Sequence, residues 1–424
     1  MNPSPMATIP GPPCKVGMVN YEGWKALRLA NGILELLVVP EIGGRILQMR
    51  LGKTNFFYVN PRHLGRVYTQ EENNFEAGWK NYGGSKVWPA PQGWSDDSHW
   101  PGPPDPVLDG GPYHSEVIHE NPDSVAIRLE SPDDEYTGLK FSREIRLFPG
   151  SAKVEICHRM RNTSLRPVRW SIWQVTQQAA RGGLSVTVPL KSYRQIYGDE
   201  VYRDSEVLPG GKLWRLSYAN QVAKFVMNPE FGWLATSHGD LLAALVETFP
   251  VVHDVTYPDG GPLEIWVNGK GTFTVHEDKV NMEDDPNGCD SYIETEILSP
   301  LVELEPGQEC TFRVCWHCCT TDGGPIVDVN SCAAIERSLV AKVEDGSVRV
   351  KGSFGLFRSG ILEIAPIHRS GMNGLVHVVG PVGPTAACSI DELIPFESGL
   401  FRVAVRMRNS EGKLQGTIDG AEIG

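Results

Sequence analysis

The sequence predicts an all-β protein, with a large antiparallel sheet system followed by a small β-sandwich. The chain has 45 glycines and 32 prolines in 424 residues. That is about a fifth of the total and leaves little room for long helices. Short runs of alternating apolar and polar residues recur along the chain, and turn-forming residues separate most of them. Helical spacing occurs in one stretch near residue 335.

Residues 1–20 are rich in proline and predict a disordered lead-in. The β pattern follows in a main domain over residues 21–328. Asn31-Gly32 and Pro149-Gly150 each lie between two apolar runs and predict tight hairpins. We expect about fifteen strands, at residues 26–30, 33–39, 45–50, 115–118, 124–130, 139–147, 153–161, 168–176, 184–189, 223–227, 233–237, 241–247, 263–267, 272–276, 291–298 and 311–318.

Residues 68–113 interrupt this pattern. They contain Trp79, Trp88, Trp94 and Trp100, many prolines and glycines, and no sustained period of either a strand or a helix. Long ordered loops in compact domains are usually functional. We therefore predict a long loop system here that contributes to a binding site.

The stretch with helical spacing covers residues 331–343. Its apolar residues Ile335, Leu339, Val340 and Val343 fall on one helix face, and Asn330 precedes them as a cap. The pattern predicts a connecting helix over residues 329–345. The β pattern restarts after it, and residues 346–424 are expected to form a small C-terminal β-sandwich domain.

Composition excludes several classes of protein. The net charge of −13 argues against nucleic-acid binding. No apolar run approaches the roughly 20 residues of a membrane helix, so we expect no membrane partner. The first residues lack the basic and apolar regions of a signal peptide, and the nine cysteines are odd in number and unevenly spread. We expect a cytoplasmic protein with free thiols.

The run from residue 79 to residue 94 combines indoles with hydrogen-bonding side chains. Sugar rings have apolar C–H faces that stack on indoles and hydroxyls that need polar partners, so this combination is typical of saccharide binding. The alternative is that the tryptophans only anchor the loop to the sheet. The candidate binding residues in this run are Trp79, Asn81, Tyr82, Lys86, Trp88, Gln92 and Trp94.

Two carboxylates lie close together in the predicted strand 291–298. Glu294 and Glu296 are two residues apart and therefore face the same side of a strand. Such a pair raises the pKa of one member and can act as an acid or a base near neutral pH. The alternative is a solvent-facing polar stripe. His253, next to Asp254, is a further catalytic candidate.

The cysteines at 310, 315, 318 and 319, with His317, resemble a metal site at first sight. They alternate along a predicted strand, however, and same-face neighbours about 6.6 Å apart are too widely spaced for tetrahedral zinc without other ligands. No phosphate-binding or dinucleotide-binding motif is present. We predict neither a metal nor a cofactor.

Three segments together resemble the galactose-mutarotase-like (aldose 1-epimerase-like) superfamily. They are residues 34–47 (LELLVVPEIGGRIL), residues 141–176 with their PVRWSIWQVT strand, and residues 263–307 with SYIETEILSP and a final L-x-P-G turn. The resemblance covers about residues 24–320. Within the superfamily, the sequence looks like an uncharacterised bacterial branch. It implies the large antiparallel supersandwich fold.

The resemblance also implies roles for single residues. Glu294 matches the catalytic base of the family. The general acid of the family is a histidine on the strand that here carries Trp173 and Gln174, where no histidine stands. We count these two residues among the substrate-binding candidates. The prediction is a carbohydrate-active protein with a saccharide as its partner, either a sugar epimerase or a glycan-cleaving enzyme. The alternative is a non-catalytic carbohydrate-binding module.

Overall fold

The computed structural model describes residues 13–93, 96–180, 182–275, 278–285 and 290–424. The described part of the chain forms 31 strands and three short 3-10 helices, at Pro61–His63, Gly239–Leu241 and Pro258–Gly260. None of these helices is long and apolar enough to cross a membrane. The predicted all-β class is therefore confirmed.

The strands of the first half are β1 (Lys15–Tyr21), β2 (Trp24–Ala30), β3 (Leu34–Val39), β4 (Arg45–Leu51), β5 (Thr54–Asn55), β6 (Ser85–Ala90), β7 (His114–Asn121), β8 (Ser124–Glu130), β9 (Leu139–Leu147), β10 (Lys153–Asn162), β11 (Val168–Ala179), β12 (Leu184–Tyr197), β13 (Ser205–Val207) and β14 (Leu213–Ser217). Those of the next part are β15 (Ala223–Pro229), β16 (Trp233–His238), β17 (Ala243–Thr248), β18 (Leu263–Asn268), β19 (Gly271–Val275), β20 (Asp278–Met282), β21 (Tyr292–Leu298), β22 (Val302–Leu304) and β23 (Glu309–Thr320). The last are β24 (Asp328–Val329), β25 (Ala333–Glu344), β26 (Ser347–Leu356), β27 (Gly360–His368), β28 (His377–Val382), β29 (Cys388–Pro395), β30 (Leu400–Arg408) and β31 (Leu414–Glu422).

The main domain is a sandwich of two antiparallel layers. The first layer runs β1-β2-β3-β4-β6-β11-β21-β18-β15. The second runs β7-β8-β9-β10-β23-β17-β16. Strand β12 joins them, because residues 184–187 pair with β16 and residues from 190 onwards pair with β15. The apolar core between the layers draws residues from both, including Ile293, Ile297 and Val314.

The small C-terminal sandwich has two four-stranded sheets, β24-β25-β26-β29 and β28-β27-β30-β31. Its own core includes Val350, Phe354 and Val405. A separate apolar cluster joins it to the main domain, with Trp233 and Val246 on one side and Phe357 on the other. The predicted large antiparallel system with a small C-terminal sandwich is confirmed.

The predicted connecting helix is wrong, because these residues form strand β25. Two irregularities in its pairing with β26 shift the alternation of its side chains. Ile335 and Leu339 both point inward because residues four apart share a face in a strand, as they nearly do on a helix. Val340 and Val343, expected on the same helix face, are each 47% exposed. Asn330 caps a turn and not a helix, since its Oδ1 accepts from the backbone of the next residues.

Two other predictions on organisation need correction. The lead-in is shorter than residues 1–20, because Lys15–Tyr21 pairs along its whole length with β2, and residues 1–12 lie outside the described residues. The predicted long loop contains strand β6, which pairs with β11. Pro89 is tolerated there because β6 pairs with β4 only at Ser85, which leaves the other edge at Pro89 without a ladder. Both predicted hairpins, β2–β3 and β9–β10, are present.

Candidate functional site

Five neighbouring strands of the first layer carry the candidate site. Alternation along β21 sends Ile293 and Ile297 into the core, so Glu294 and Glu296 face the other way, as predicted. The strand register aligns Lys224, Trp266, Glu294 and Gln177 across β15, β18, β21 and β11. We call this outer side of the five strands, including β6, the Glu294 face.

Glu294 is held through one of its two oxygens. Its Oε1 accepts a hydrogen bond from Gln177 Nε2 at 2.7 Å and lies 3.2 Å from Lys86 Nζ. No described residue donates to its Oε2. The side chain is 13% exposed, and Oε2 is the oxygen whose hydrogen-bonding capacity is left for a ligand.

Lys86 projects from β6 into an aromatic enclosure. Its Nζ lies 4.4 Å from the ring centre of Trp88 and 5.2 Å from that of Trp79. Burial lowers the pKa of the ammonium, and the neighbouring carboxylate of Glu294 opposes that effect. Lys86 is therefore a cation that gives up its proton more easily than a surface lysine does.

A second charged group lies beside the first. Lys224 Nζ is 2.6 Å from Glu264 Oε2 and 3.2 Å from Glu296 Oε2, and Trp173 Nε1 donates to Glu296 at 3.0 Å. Burial raises the pKa of Glu264 to about 8 and also raises that of Glu296. Burial alone would lower the pKa of Lys224, but the two carboxylates outweigh it and raise the pKa. Glu296 is therefore a buried partner of Lys224 and Trp173.

The tryptophans of the predicted binding run have different roles. Trp88 is 3% exposed and packs on Trp79, Trp100 and Trp173, so it forms the base of the site and cannot stack on a sugar directly. Trp79 is partly buried, and its Nε1 donates to Asp109 at 2.7 Å. Trp94 lies outside the described residues.

Asn81 and Tyr82 lie just before β6. Asn81 Nδ2 donates to Tyr292 at the edge of the Glu294 face, over 3.3 Å. Tyr82 is fully buried against Trp24. Gly83 follows with φ +94°, and an added Cβ would lie 2.2 Å from the carbonyl oxygen of residue 58, so only glycine allows this close approach.

Besides Tyr82, three predicted residues are not part of the Glu294 face. Gln174 lies on the inner face of β11, where it is fully buried and bonds to His158 and Glu247, because it is adjacent to the outward-facing Trp173. His253 is exposed in the loop after β17, a strand of the second layer, and makes no described contact with Glu294. Gln92 is exposed beyond the end of β6.

Sequence reasoning missed Gln177, Lys224, Glu264 and Trp266. A signal was present: Glu264 and Trp266 alternate with apolar residues in LEIWV, just as Glu294 and Glu296 do in YIETEI. Trp266 is partly exposed and packs edge-on against Phe273, and Tyr197 lies against the same Phe273 ring. In the described part of the chain, no group of three or more His, Cys, Asp or Glu side chains has the geometry of a metal site.

Comparison with known families gives one match, to a domain of unknown function, DUF4380, over residues 25–319. The chain belongs to the DUF4380 family. The matched region covers strands β2 to β23 almost completely, and so contains every strand of the Glu294 face. A search of curated proteins found no match for this DUF4380 protein.

Several solved structures are similar to this DUF4380 protein. A TPR-domain containing protein from Parabacteroides distasonis is 12% identical with a TM-score of 0.51, over 73% of this chain and 49% of the other, so the similarity spans about half of that protein. A galactose mutarotase-like protein from Clostridium acetobutylicum is 12% identical, with a TM-score of 0.44 over 72% and 98% of the two chains. A galactose mutarotase-like protein from Lactobacillus casei is 12% identical, with a TM-score of 0.44 over 71% of this chain and 100% of the other. The expected resemblance is confirmed, and it concerns the fold alone.

Proposed function

We propose that the Glu294 face binds a saccharide and that Glu294 accepts a proton from one of its hydroxyl groups. The observation that carries this proposal is the arrangement of the carboxylate. Gln177 and Lys86 hold Oε1, whereas Oε2 accepts from no described residue. A carboxylate held in this way is oriented before the ligand arrives, which lowers the entropic cost of binding.

Trp266 is the surface on which we place the sugar ring. It is the cross-strand neighbour of Glu294, its ring is partly exposed, and its Nε1 bonds to Asn268 at 3.2 Å. Neighbouring strands lie about 4.8 Å apart, so a pyranose resting on this indole brings its hydroxyls within reach of Glu294. Trp79 is the second partly exposed indole and would bound the opposite side of the site.

The reaction that fits this arrangement is interconversion of the anomers of an aldose. Glu294 removes the proton of the anomeric hydroxyl, and Lys86 donates a proton to the ring oxygen as the bond between that oxygen and C1 breaks. The open-chain aldehyde rotates and closes again by the reverse steps. Lys86 is suited to the role of acid because its pKa is lowered and because it contacts the base directly.

The experiment combines binding and activity. A panel of aldoses is titrated by calorimetry, and polarimetry follows the relaxation of each fresh anomer. We expect Glu294→Gln to abolish catalysed relaxation while binding persists, and Lys86→Arg to retain binding but lose most of the rate, since arginine does not release its proton. Glu303→Gln, on an exposed residue of β22, is the matched control and should have no effect.

The second candidate is a non-catalytic saccharide-binding domain. It is favoured by Trp173, which occupies the strand where the resemblance places an acid and which donates to Glu296. In that case the panel binds and wild-type protein does not accelerate relaxation of any anomer. If no aldose binds, the proposal of a saccharide site is wrong in both forms.

A further inference from the structure

The charges on the Glu294 face do not balance. Three glutamates, at 264, 294 and 296, share this face with two lysines, at 86 and 224. Arg45, which lies close by, is already paired with Asp109. A buried carboxylate without a countercharge is costly, so one of the three carboxyl groups requires either a proton or a further cation.

The hydrogen-bonding groups of this face are also unbalanced, because in the described part of the chain more acceptors than donors lack a partner. Glu264 Oε1 and Gln177 Oε1 are both buried and have no donor among the described residues. The orientation of the Gln177 amide is fixed, because its Nε2 faces the carboxylate oxygen of Glu294 at 2.7 Å. With Glu294 Oε2, three acceptor oxygens remain on this face. The Trp79, Trp173 and Trp266 N–H groups already donate within the protein, and Trp88 Nε1 is a single buried donor without an acceptor among the described residues.

Aromatic rings surround these acceptors. Trp266 lies two residues from Glu264 on the same face of β18 and directly across from Glu294. Tyr197 and Phe273 extend the aromatic wall on the side of Lys224. The negative faces of aromatic rings attract cations, most strongly in the case of tryptophan. Spare acceptors beside exposed indole are the surroundings that a positively charged group prefers.

We infer that the saccharide of this site carries a free ammonium group, as an amino sugar does, and that Glu264 is its counter-charge. This inference rests on the proposed saccharide function and names the class of sugar. Since an ammonium group brings only donors, it would supply a hydrogen bond to Glu264 Oε1, and a hydroxyl of the same sugar would donate to the free oxygen of Glu294. Uronic acids and sugar phosphates are disfavoured, because both lysines of the face are already paired.

Proton release provides a second signature. Burial raises the pKa of Glu264 to about 8, against the effect of Lys224 and with the added repulsion of Glu296 and Asp259, so its carboxyl group is protonated near neutral pH. An ammonium placed beside it favours the ionised form. Binding should therefore release a proton to the buffer, whereas a sugar without a charge should not cause this release.

The test is a calorimetric comparison of glucosamine, galactosamine and mannosamine with their N-acetyl and 2-hydroxy counterparts near neutral pH. We expect at least one amine to bind about tenfold more tightly than both counterparts, which corresponds to about 1.4 kcal/mol. Repeating the titration in phosphate and in Tris, which differ in ionisation enthalpy, should show proton release for that amine. Glu264→Gln should remove both the preference and the proton release, and Glu303→Gln should change neither.

The outcomes separate this inference from the proposed function. If the 2-hydroxy or N-acetyl sugars bind as tightly as the amines, or if the preferred amine releases no proton, the amino-sugar inference is wrong and saccharide binding stands. If no sugar of the panel binds, both fail. The wild-type titrations decide these points even if Glu264→Gln does not fold.

Discussion

On the outer face of β21, Glu294 and Glu296 pair with the ammonium groups of Lys86 and Lys224. On its inner face, Thr295 instead donates a hydrogen bond to Glu247, which has no partner cation among the described residues. Apart from Glu294, whose side chain is 13% exposed, these side chains are buried. The outer set consists of ion pairs within the first layer, and two of them, Lys86–Glu294 and Lys224–Glu296, each cross one intervening strand. The inner set connects the two layers.

The centre of the inner set is Glu247 on β17. Its carboxyl oxygens accept from Thr295, from Trp316 Nε1 at 2.9 Å and from Gln174 Nε2 at 3.3 Å. No lysine or arginine of the described residues pairs with it. Burial raises the pKa of Glu247 to about 7, and burial also lowers the pKa of the nearby His158 to about 3. The inner set thus holds its carboxyl group by hydrogen bonds without a partner cation among the described residues, whereas the outer face holds Glu294 and Glu296 beside the ammonium groups of Lys86 and Lys224.

Removing the shared cation of the outer face should give the largest effect on stability. Lys224→Met leaves Glu264 and Glu296 buried side by side, and loss of one partner of a buried ion pair costs about 3–5 kcal/mol. We expect a decrease of that size in the free energy of unfolding measured with urea.

The control is Lys279→Met, which removes a lysine paired with Asp199 on the exposed surface. An exposed pair contributes at most about 1 kcal/mol. Adding Glu264→Gln to Lys224→Met should restore part of the loss, because one of the two unpaired carboxyl groups is then removed. Equal losses for Lys224→Met and Lys279→Met would show that the outer pairs are not buried charges.

The buried carboxyl group of the inner face should make stability depend on pH. The pKa of Glu247 is about 7 in the folded protein and 4.5 as its ordinary value. Below pH 4.5 the group is protonated in both states and its contribution is fully present; it is lost as pH rises through 7, because the unfolded chain gives up its proton first. The loss is about 1.4 kcal/mol for each pH unit of difference, or about 3 kcal/mol in total.

The measurement is urea unfolding of wild type and of Glu247→Gln at several pH values between 4 and 8. The free energy of unfolding of wild type, relative to that of Glu247→Gln, should fall as pH rises. Glu264 also has a raised pKa, but it is present in both proteins and its contribution cancels. A difference that does not vary with pH would mean that Glu247 ionises normally inside the sandwich.

How far the sequence predicts these two faces depends on whether the information is local. Alternation along one strand is local, and it correctly placed Glu294 and Glu296 on the face opposite Ile293 and Ile297. A local pattern also misleads where two structures share a spacing, as in β25, where the four-residue spacing of Ile335 and Leu339 fits one face of a strand as well as one face of a helix.

Pairing between strands is not local. Trp266 reaches Glu294 because β18 pairs with β21, and Lys224 reaches Glu296 across two strand boundaries. Neither contact follows from the pattern of its own segment, so both residues were missed. Gln174 is a different kind of error: strand parity alone excludes a common face for it and the adjacent Trp173.

Gln174 and Gln177 provide the finest test of the comparison, because they are three residues apart on β11 and face opposite sides. Gln174 bonds to His158 Nε2 at 2.9 Å and to Glu247 in the core, whereas Gln177 bonds to Glu294 on the outer face. Gln174→Leu leaves His158 Nε2 without its partner and removes one of the three donors to Glu247, and it should cost about 1–3 kcal/mol of unfolding free energy. It should leave the affinity for the tightest-binding sugar of the panel unchanged.

Gln177→Leu should act in the opposite way. Its Oε1 has no donor among the described residues, so the folded protein loses one hydrogen bond, to a carboxylate that retains Lys86. The orientation of Glu294 is loosened, and sugar affinity should fall by about tenfold with a smaller change in stability than Gln174→Leu causes. The two variants are of the same type on the same strand, so each is the control for the other. If both change stability and neither changes binding, the outer face is a structural feature of the sheet and the ligand site lies elsewhere.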